Sequence, residues 1–286
     1  MTPTEFDLWL TQHDRRPLVM GVLNATPDSF SDGGQFAATD AAVAQAEKLA
    51  AYGADLIDIG GESTRPGAGR VDPKEQIRRI VPVLQAAAHR LPVVWSVDTR
   101  CAEVASAAIR AGAHIINDIS AGRDDPAILR LAVERKLPLI LMHMQGEPQT
   151  MQADPSYADV IEEVKSFLAE RVKAAQSAGM NPNHILLDPG IGFGKNINHN
   201  LTLIREMKKF TELGHPLVIG TSRKGFIGVI SGEPQPSQRL FGTAATVAWS
   251  IANGAAIVRV HDVEPMLKVV RVIRAIQKGA AEPPQK

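Results

Sequence analysis

A single cysteine, Cys101, among 286 residues leaves no internal disulfide and no cysteine-rich zinc site to build. Neither sign of charge is in excess: 31 Lys and Arg balance 31 Asp and Glu. That argues against a protein that coats nucleic acid, which needs surplus cations. No run of about 18 apolar residues is present to span a bilayer. The first twenty residues carry Glu5, Asp7 and Asp14 without a long apolar stretch, so they do not read as a secretory signal, and a cytoplasmic protein is expected. Asn24-Ala-Thr26 fits the glycosylation pattern but has no meaning without export. His-Glu-x-x-His and Gly-x-Ser-x-Gly are missing, and the histidines are scattered, which argues against a zinc site or a serine nucleophile on an elbow. The glycine-rich Gly190–Asn196 has the wrong spacing for a phosphate loop and Asn196 where Ser or Thr is needed. What remains is ordinary globular composition, 44% hydrophobic and 22% charged, on a chain long enough to bury a core unaided.

Short apolar runs recur along it: Leu18–Leu23, Leu56–Ile59, Val93–Val97, Ile115–Ile116, Leu137–Met142, Ile185–Leu187, Leu217–Ile219 and Ile257–Val260. Continuous runs of this kind suit strands buried on both faces, hence a parallel sheet. Helical patterns lie between them. Over 74–91 the apolar positions Ile77, Ile80, Val81, Leu84, Ala88 and Leu91 form one stripe. Asp72-Pro73-Lys74-Glu75 opens it with a cap, a proline at the first position and a glutamate spaced to close a capping box. Asp125-Pro126 starts another helix, with Ile128, Leu129, Ala132 and Val133 inward, and a longer one runs over 157–178 and stops at Gly179. Weaker patterns cover 39–52, 100–111, 200–212, 237–253 and 263–277. Strands each followed by a helix predict a single-domain (β/α)8 TIM barrel over 17–278. Residues 1–16 read as an N-terminal extension and 279–286 as a disordered tail. The competing open, doubly wound sheet lacks a Gly-x-Gly-x-x-Gly after its first strand.

Such a barrel gathers its active site at the carboxyl ends of its strands. Those ends carry Asn24, then Glu62-Ser-Thr64-Arg65, Asp98, Asn117-Asp118, His143, Asp188, Ser222-Arg-Lys224, and finally Arg259 with His261. Asp98, Asn117, Asp188 and Lys224 form one chemical group. A flat heterocycle with two N–H donors side by side would pair bidentately with one carboxylate, and Lys224 would take a ring carbonyl. Read blandly, Asp98 caps the helix near 100 and Lys224 is a surface lysine. Asn24, Thr64, Arg65, Arg259 and His261 form a second group of cationic and hydroxyl donors. It suits a phosphate or diphosphate, with Asn24 as an oxygen ligand to a bridging magnesium ion. The loops at 26–36 and 63–71 exceed a bare turn and read as mobile lids, with Phe30 an aromatic awaiting a ligand.

Asn24-Ala-Thr-Pro-Asp-Ser-Phe-Ser-Asp-Gly-Gly34 and Ile59-Gly-Gly-Glu-Ser-Thr-Arg-Pro-Gly-Ala68 resemble the two signatures of the dihydropteroate synthase family. Ser96–Thr99, Asn117–Ile119, His143–Gly146, Asp188–Lys195, Ser222–Lys224 and Arg259–Asp262 follow in the family's order, over about residues 17–278. Ala25, where many members have Val, and Gly225, where many have Ser, depart without removing a reacting group. The resemblance implies a magnesium-dependent transferase that joins (7,8-dihydropterin-6-yl)methyl diphosphate to 4-aminobenzoate. It implies Asp98, Asn117, Asp188 and Lys224 on the pterin, and Thr64, Arg65, Arg259 and His261 on the diphosphate. Asn24 would hold the metal, with Phe30, Pro66, Phe193 and Ser222 around the aminobenzoate, a pocket that sulfonamides occupy in this family. Asp98, Lys224 and Arg65 would be catalytic, and the family's homodimer is expected as well. A methyltetrahydrofolate-dependent methyltransferase would have no use for Arg65, Lys224 and His261. A non-catalytic pterin-binding homologue would be expected to lack Asn24 or the Thr64-Arg65 pair. A Schiff-base aldolase would want Lys224 inside an apolar strand.

Overall fold

The computed structural model describes residues 1–26 and 34–281; Phe30, most of the 26–36 loop and residues 282–286 lie outside them. A helix α1 (Pro3–Thr11) precedes eight strands: β1 (Leu18–Asn24), β2 (Leu56–Gly60), β3 (Val94–Asp98), β4 (Ile115–Asp118), β5 (Leu139–Met142), β6 (Ile185–Asp188), β7 (Leu217–Ile219) and β8 (Ala255–Val260). They pair in parallel, in chain order, and β8 returns to β1, so the sheet is a closed barrel as expected. Outside it run α2 (Gly34–Ala51), α3 (Pro73–Ala87), α4 (Ala102–Arg110), α5 (Ala127–Arg135), α6 (Val160–Ser177), α7 (Ile197–Arg205), α8 (Lys208–Thr211), α9 (Gly225–Ser231), α10 (Leu240–Ala252) and α11 (Val263–Lys278). Among the described residues, no helix is long and apolar enough to cross a membrane.

The apolar runs become strands because both of their faces are buried. Val19, Leu23, Ile57, Ile59, Trp95 and Val97 pack outward among the helices. The alternate set, Leu18, Met20, Leu56, Val94, Ile115, Ile140, Leu186, Val218 and Ile257, forms a separate inner core. A strand's two-residue period carries that inner phase on toward the carboxyl ends. Leu56 leads to Asp58, Val94 to Ser96 and Asp98, Ile115 to Asn117, Leu186 to Asp188, and Ile257 to Arg259. The packing of the lower barrel thus dictates which polar side chains look into its mouth.

Most strands run one or two residues beyond the apolar stretches that predict them. Pairing continues through Asn24↔Gly60, Gly60↔Asp98, Asp98↔Asn117 and Met142↔Asp188. Hydropathy misses these rungs because the residues are polar, yet their backbones belong to the ladder. β5 starts later than expected, after Pro138, which has no N–H to donate. The pattern over 200–212 divides into α7 and α8, and the α3 capping box does not form. Asp72 does accept from the Lys74 N–H at 2.8 Å, but Glu75 pairs instead with Arg78 and Arg79.

Residues 1–16 are no appendage. Thr2 and Glu5 cap α1 reciprocally, and Phe6, Trp9 and Leu10, spaced to share one helix face, enter the inner core at the amino-terminal end of the barrel. Trp9 Nε1 donates to the Arg16 carbonyl at 2.8 Å, so the buried indole is satisfied. Phe6→Ala is expected to cost about 3–5 kcal/mol of stability, since it opens a cavity in this plug. Urea unfolding followed by circular dichroism measures it, and a wild-type midpoint would refute the plug.

Candidate active site

At the opposite end, the mouth of the barrel encloses a cavity of about 770 Å3. Every described residue that the sequence assigned to the ring, the anion, the metal or the aminobenzoate lines it: Asn24, Thr64, Arg65, Pro66, Asp98, Asn117, Asp188, Phe193, Ser222, Lys224, Arg259 and His261; of the other strand-end residues, Glu62, Asp118 and His143 do not. They come from all parts of the chain, and barrel closure is what joins them.

The bland reading of Asp98 fails because another residue does the capping. Asp125 gives one oxygen to the Ala102 N–H at the start of α4 (2.8 Å) and the other to the Ala127 N–H at the start of α5 (3.0 Å). Asp98 is left to the interior, where Arg259 Nη2 donates to its Oδ2 at 2.8 Å. The same guanidinium donates from Nε to Asp58 Oδ2 at 2.6 Å, and Asn117 Nδ2 reaches that oxygen at 3.0 Å. Arg259, grouped by the sequence with the phosphate donors, therefore also pairs with an acid of the first group and links the two groups. Asp58 was missed. The signal was there, a carboxylate inside the apolar run Leu-Ile-Asp-Ile-Gly, where a charge has to be paired.

Asp188 accepts the Gly190 N–H at 2.7 Å, and burial still pushes its carboxyl up to about 6, against the pull of that bond and of Lys224. Lys224 is not a surface lysine. It sits 4.3 Å from the centre of the Phe193 ring, and burial followed by the nearby Arg259 charge lowers its amine to about 8. Burial also moves the Asp98 carboxyl above its usual range, with Arg259 opposing and Asp58 reinforcing. His261 accepts or donates at Nδ1 with Ser222 Oγ at 3.1 Å. Burial, Arg259 and Arg223 depress it to about 3. It is thus a neutral hydrogen-bonding group at pH 7, so the cationic donors of the second group are Arg65 and Arg259.

The backbone supports this placement. Arg223 adopts a left-handed conformation (φ 59°), held by its Asp262 salt bridge at 2.6 Å and by Thr243 Oγ1 at 3.1 Å. Its neighbours Ser222 and Lys224 both line the cavity as a result. The Gly190–Asn196 segment is no phosphate loop. A Cβ at Gly190 (φ +69°) would overlap the His143 carbonyl oxygen, so glycine is what lets this loop lie on the end of β5. Lys195, also missed, points down rather than out: its buried Nζ meets His143 Nδ1 at 2.9 Å and the Phe193 carbonyl at 2.9 Å. Phe193 consequently packs against Lys224 and the cluster of Ile119, Met142, Met144 and Met151, while Ser222 sides with His261 and Pro66 is exposed. The 63–71 loop is tied rather than loose. Glu62 accepts the Val71 N–H at 2.7 Å and Arg100 Nη2 at 2.8 Å, and the Gly67 N–H reaches the Pro148 carbonyl at 3.0 Å.

Taken together, the cavity offers buried acceptors and the Lys224 ammonium on its floor, and donors from Thr64, Arg65 and His261 at its rim. That arrangement fits a ring with an N–H edge carrying an anionic group. A family model described as pterin binding enzyme matches residues 20–261. The dihydropteroate synthase of Synechocystis sp. is 48% identical over 262 residues, spanning 92% of this chain and 91% of the relative. The structure of Xanthomonas albilineans dihydropteroate synthase with 4-aminobenzoic acid superposes with a TM-score of 0.87 at 44% identity, covering 94% of each chain. A complex of that species' enzyme with 7,8-dihydropteroate gives 0.84 at 41%, covering 94% of this chain and 95% of the other. A Yersinia pestis dihydropteroate synthase with a sulfonamide drug gives 0.87 at 43%, covering 92% and 95%.

Arg259→Met would strand Asp58 and Asp98 as unpaired buried acids. A loss of about 3–5 kcal/mol in unfolding free energy at pH 7 is expected. A variant as stable as wild type in guanidinium melts would show that the ion pairs hold nothing.

Proposed function

The chain belongs to the pterin binding enzyme family, and from that premise we propose that it catalyses the dihydropteroate synthase reaction, joining (7,8-dihydropterin-6-yl)methyl diphosphate to 4-aminobenzoate. The carrying observation is the single cavity in which Asp98, Asn117, Asp188 and Lys224 lie beside Thr64, Arg65 and His261. In this reading the floor binds the pterin. A buried carboxylate accepts paired N–H groups, the Asn117 amide and the other carboxylate take remaining ring atoms, and Lys224 donates to the ring carbonyl. Thr64, Arg65, Arg259 and His261 serve the diphosphate, with Arg65 and Arg259 supplying the charge. A methyltransferase or a non-catalytic binder would leave this rim without a task.

The substitution is dissociative in our proposal. The methylene–oxygen bond breaks first, and Arg65 with the rim donors stabilises the departing diphosphate. Asp98, close beneath the ring, stabilises the positive charge spread from the methylene carbon into the pterin. The neutral arylamine then forms the nitrogen–carbon bond and gives its proton to solvent or diphosphate, so no strong base is required. Pro66, Phe193 and Ser222, with Phe30, are proposed to line the aminobenzoate end, where sulfonamides are expected to compete. Asn24 suits a magnesium ion. Its side chain has no hydrogen bond among the described residues, and no group of three or more His, Cys, Asp or Glu gathers there for a metal. Such a donor set fits an ion held largely by phosphate oxygens and water, and when bound it would neutralise charge on the leaving group.

A homodimer is also proposed, through α10 and α11. Phe241, Ala245 and Trp249 repeat every four residues on one exposed face of α10; Phe241 is 86% exposed, and Val272 and Ile276 are exposed on α11, packed beside it. A second copy of the same face would cover this apolar surface. The cytoplasm is proposed as the working compartment, consistent with one free cysteine.

Diphosphate release should require both substrates and magnesium, and Lys224→Ala should weaken pterin binding and abolish turnover. Release without 4-aminobenzoate, or none with it, would remove the assignment. Pterin affinity should be greatest between about pH 7 and about pH 8. Below that window Asp98, raised by burial to about 7, and then Asp188, raised to about 6, gain protons and stop accepting; above it Lys224 loses its charge. Calorimetry across pH 5–9 checks this, and a Lys224→Met variant should lack the alkaline limb. Phe241→Glu should sediment as a monomer if α10 forms the dimer contact, whereas an unchanged dimer would place the contact elsewhere.

A further inference from the structure

The acids at the barrel mouth stand at two depths. Asp98 lines the cavity; Asp58 is fully buried and does not. Register explains the difference. Gly60 on β2 lies beside Asp98 on β3, and Asp58 lies beside Ser96, one inward-facing layer lower. One guanidinium serves both acids, with Arg259 Nε on Asp58 at 2.6 Å and Nη2 on Asp98 at 2.8 Å. The oxygen of Asp58 that receives Nε also receives Asn117 Nδ2 at 3.0 Å. Its other oxygen, Oδ1, has no hydrogen-bond partner among the described residues. Arg259 and Asn117 are therefore all that this carboxylate holds, and both line the cavity above it.

We propose that Asp58 is a positioning residue for pterin recognition: it is the resident counter-ion of Arg259 and the anchor of the Asn117 amide, which leaves Asp98 able to exchange Arg259 for the N–H groups of the substrate. The inference rests on the reading given above. With Asp98 as its only protein partner, Arg259 would lose its resident counter-ion whenever Asp98 turned to the ring of a ligand, and binding a pterin without a diphosphate would have to overcome that loss. With Asp58 behind it, the guanidinium keeps one charge-assisted bond throughout. Its Nε direction is fixed from below before substrate arrives, and the bond from Asn117 Nδ2 to the same Asp58 oxygen orients the Asn117 amide. The arrangement is preorganised, so little ordering is left to be done on binding.

Asp58→Asn keeps the volume and an oxygen for Asn117 but removes the counter-charge. For a folded variant, confirmed by its thermal unfolding transition, calorimetric pterin affinity should fall at least tenfold while the KM for 4-aminobenzoate stays within about twofold of wild type. Wild-type pterin affinity in that variant, or an equal loss for both substrates, would overturn the proposal. Should the variant not fold, the wild-type protein decides by NMR. The Arg259 Nε–H resonance should be protected from exchange in the free protein and remain so with pterin bound; loss of protection on binding would show that Asp58 is not the permanent partner. A wild-type protein that binds no pterin sinks the underlying reading instead, whereas the Asp58→Asn comparison is made only against a wild type that binds.

Discussion

One guanidinium on β8, facing carboxylates on β2 and β3, is the contact on which the mouth of this barrel depends. Inward-facing acids on adjacent strands repel, and their burial favours protonation. Arg259 makes Asp58 and Asp98 tolerable as a pair by reaching across the neighbouring β1 to both of them. Its own ionisation is opposed by burial but reinforced by Asp58 and Asp98, with the net effect of holding the charge in place. The cluster is a poor device for stability compared with apolar packing of the same volume. What it provides is a set of buried acceptors and one directed cation, held in place without a ligand.

The rest of the site is arranged around that charge. Burial, and after it the nearby Arg259 charge, depresses the Lys224 amine, and burial with the same neighbour keeps His261 neutral. Acceptors and a weakened ammonium lie with the exposed Arg65 in one cavity, and Arg259 joins the group proposed for the ring to the group proposed for the anion. Further residues hold these groups in place. Asp125 takes over the helix capping that would otherwise occupy Asp98, Lys195 and Gly190 fix the loop that brings Phe193 to Lys224, and Glu62 ties both ends of the 63–71 loop to the body.

Much of this was legible in the sequence, for physical reasons that also mark where legibility stops. Strands buried on both faces leave an apolar run that cannot be hidden, so the barrel and the order of its strands could be read. Site residues at strand ends could be read too, because polarity begins where those runs stop. Asp58 could not be placed that way, since it lies inside a run and its partner Arg259 is some two hundred residues distant in sequence. The neutrality of His261 depends on burial and on two arginines, neither of which local sequence reveals. Lys195 looked like part of a failed phosphate motif, and only packing against His143 shows what it does. α1 carried its signal in Phe6, Trp9 and Leu10, but nothing local says that a short amphipathic helix will plug a barrel.

The most direct trial of the account is a crystal structure with the dihydropterin bound. The ring should lie between Asp98, Asn117, Asp188 and Lys224, with its N–H edge on a carboxylate, its carbonyl on Lys224, and Arg259 Nε still on Asp58. A pterin lodged away from these four side chains, or an Arg259 swung off Asp58 to follow the ligand, would contradict it.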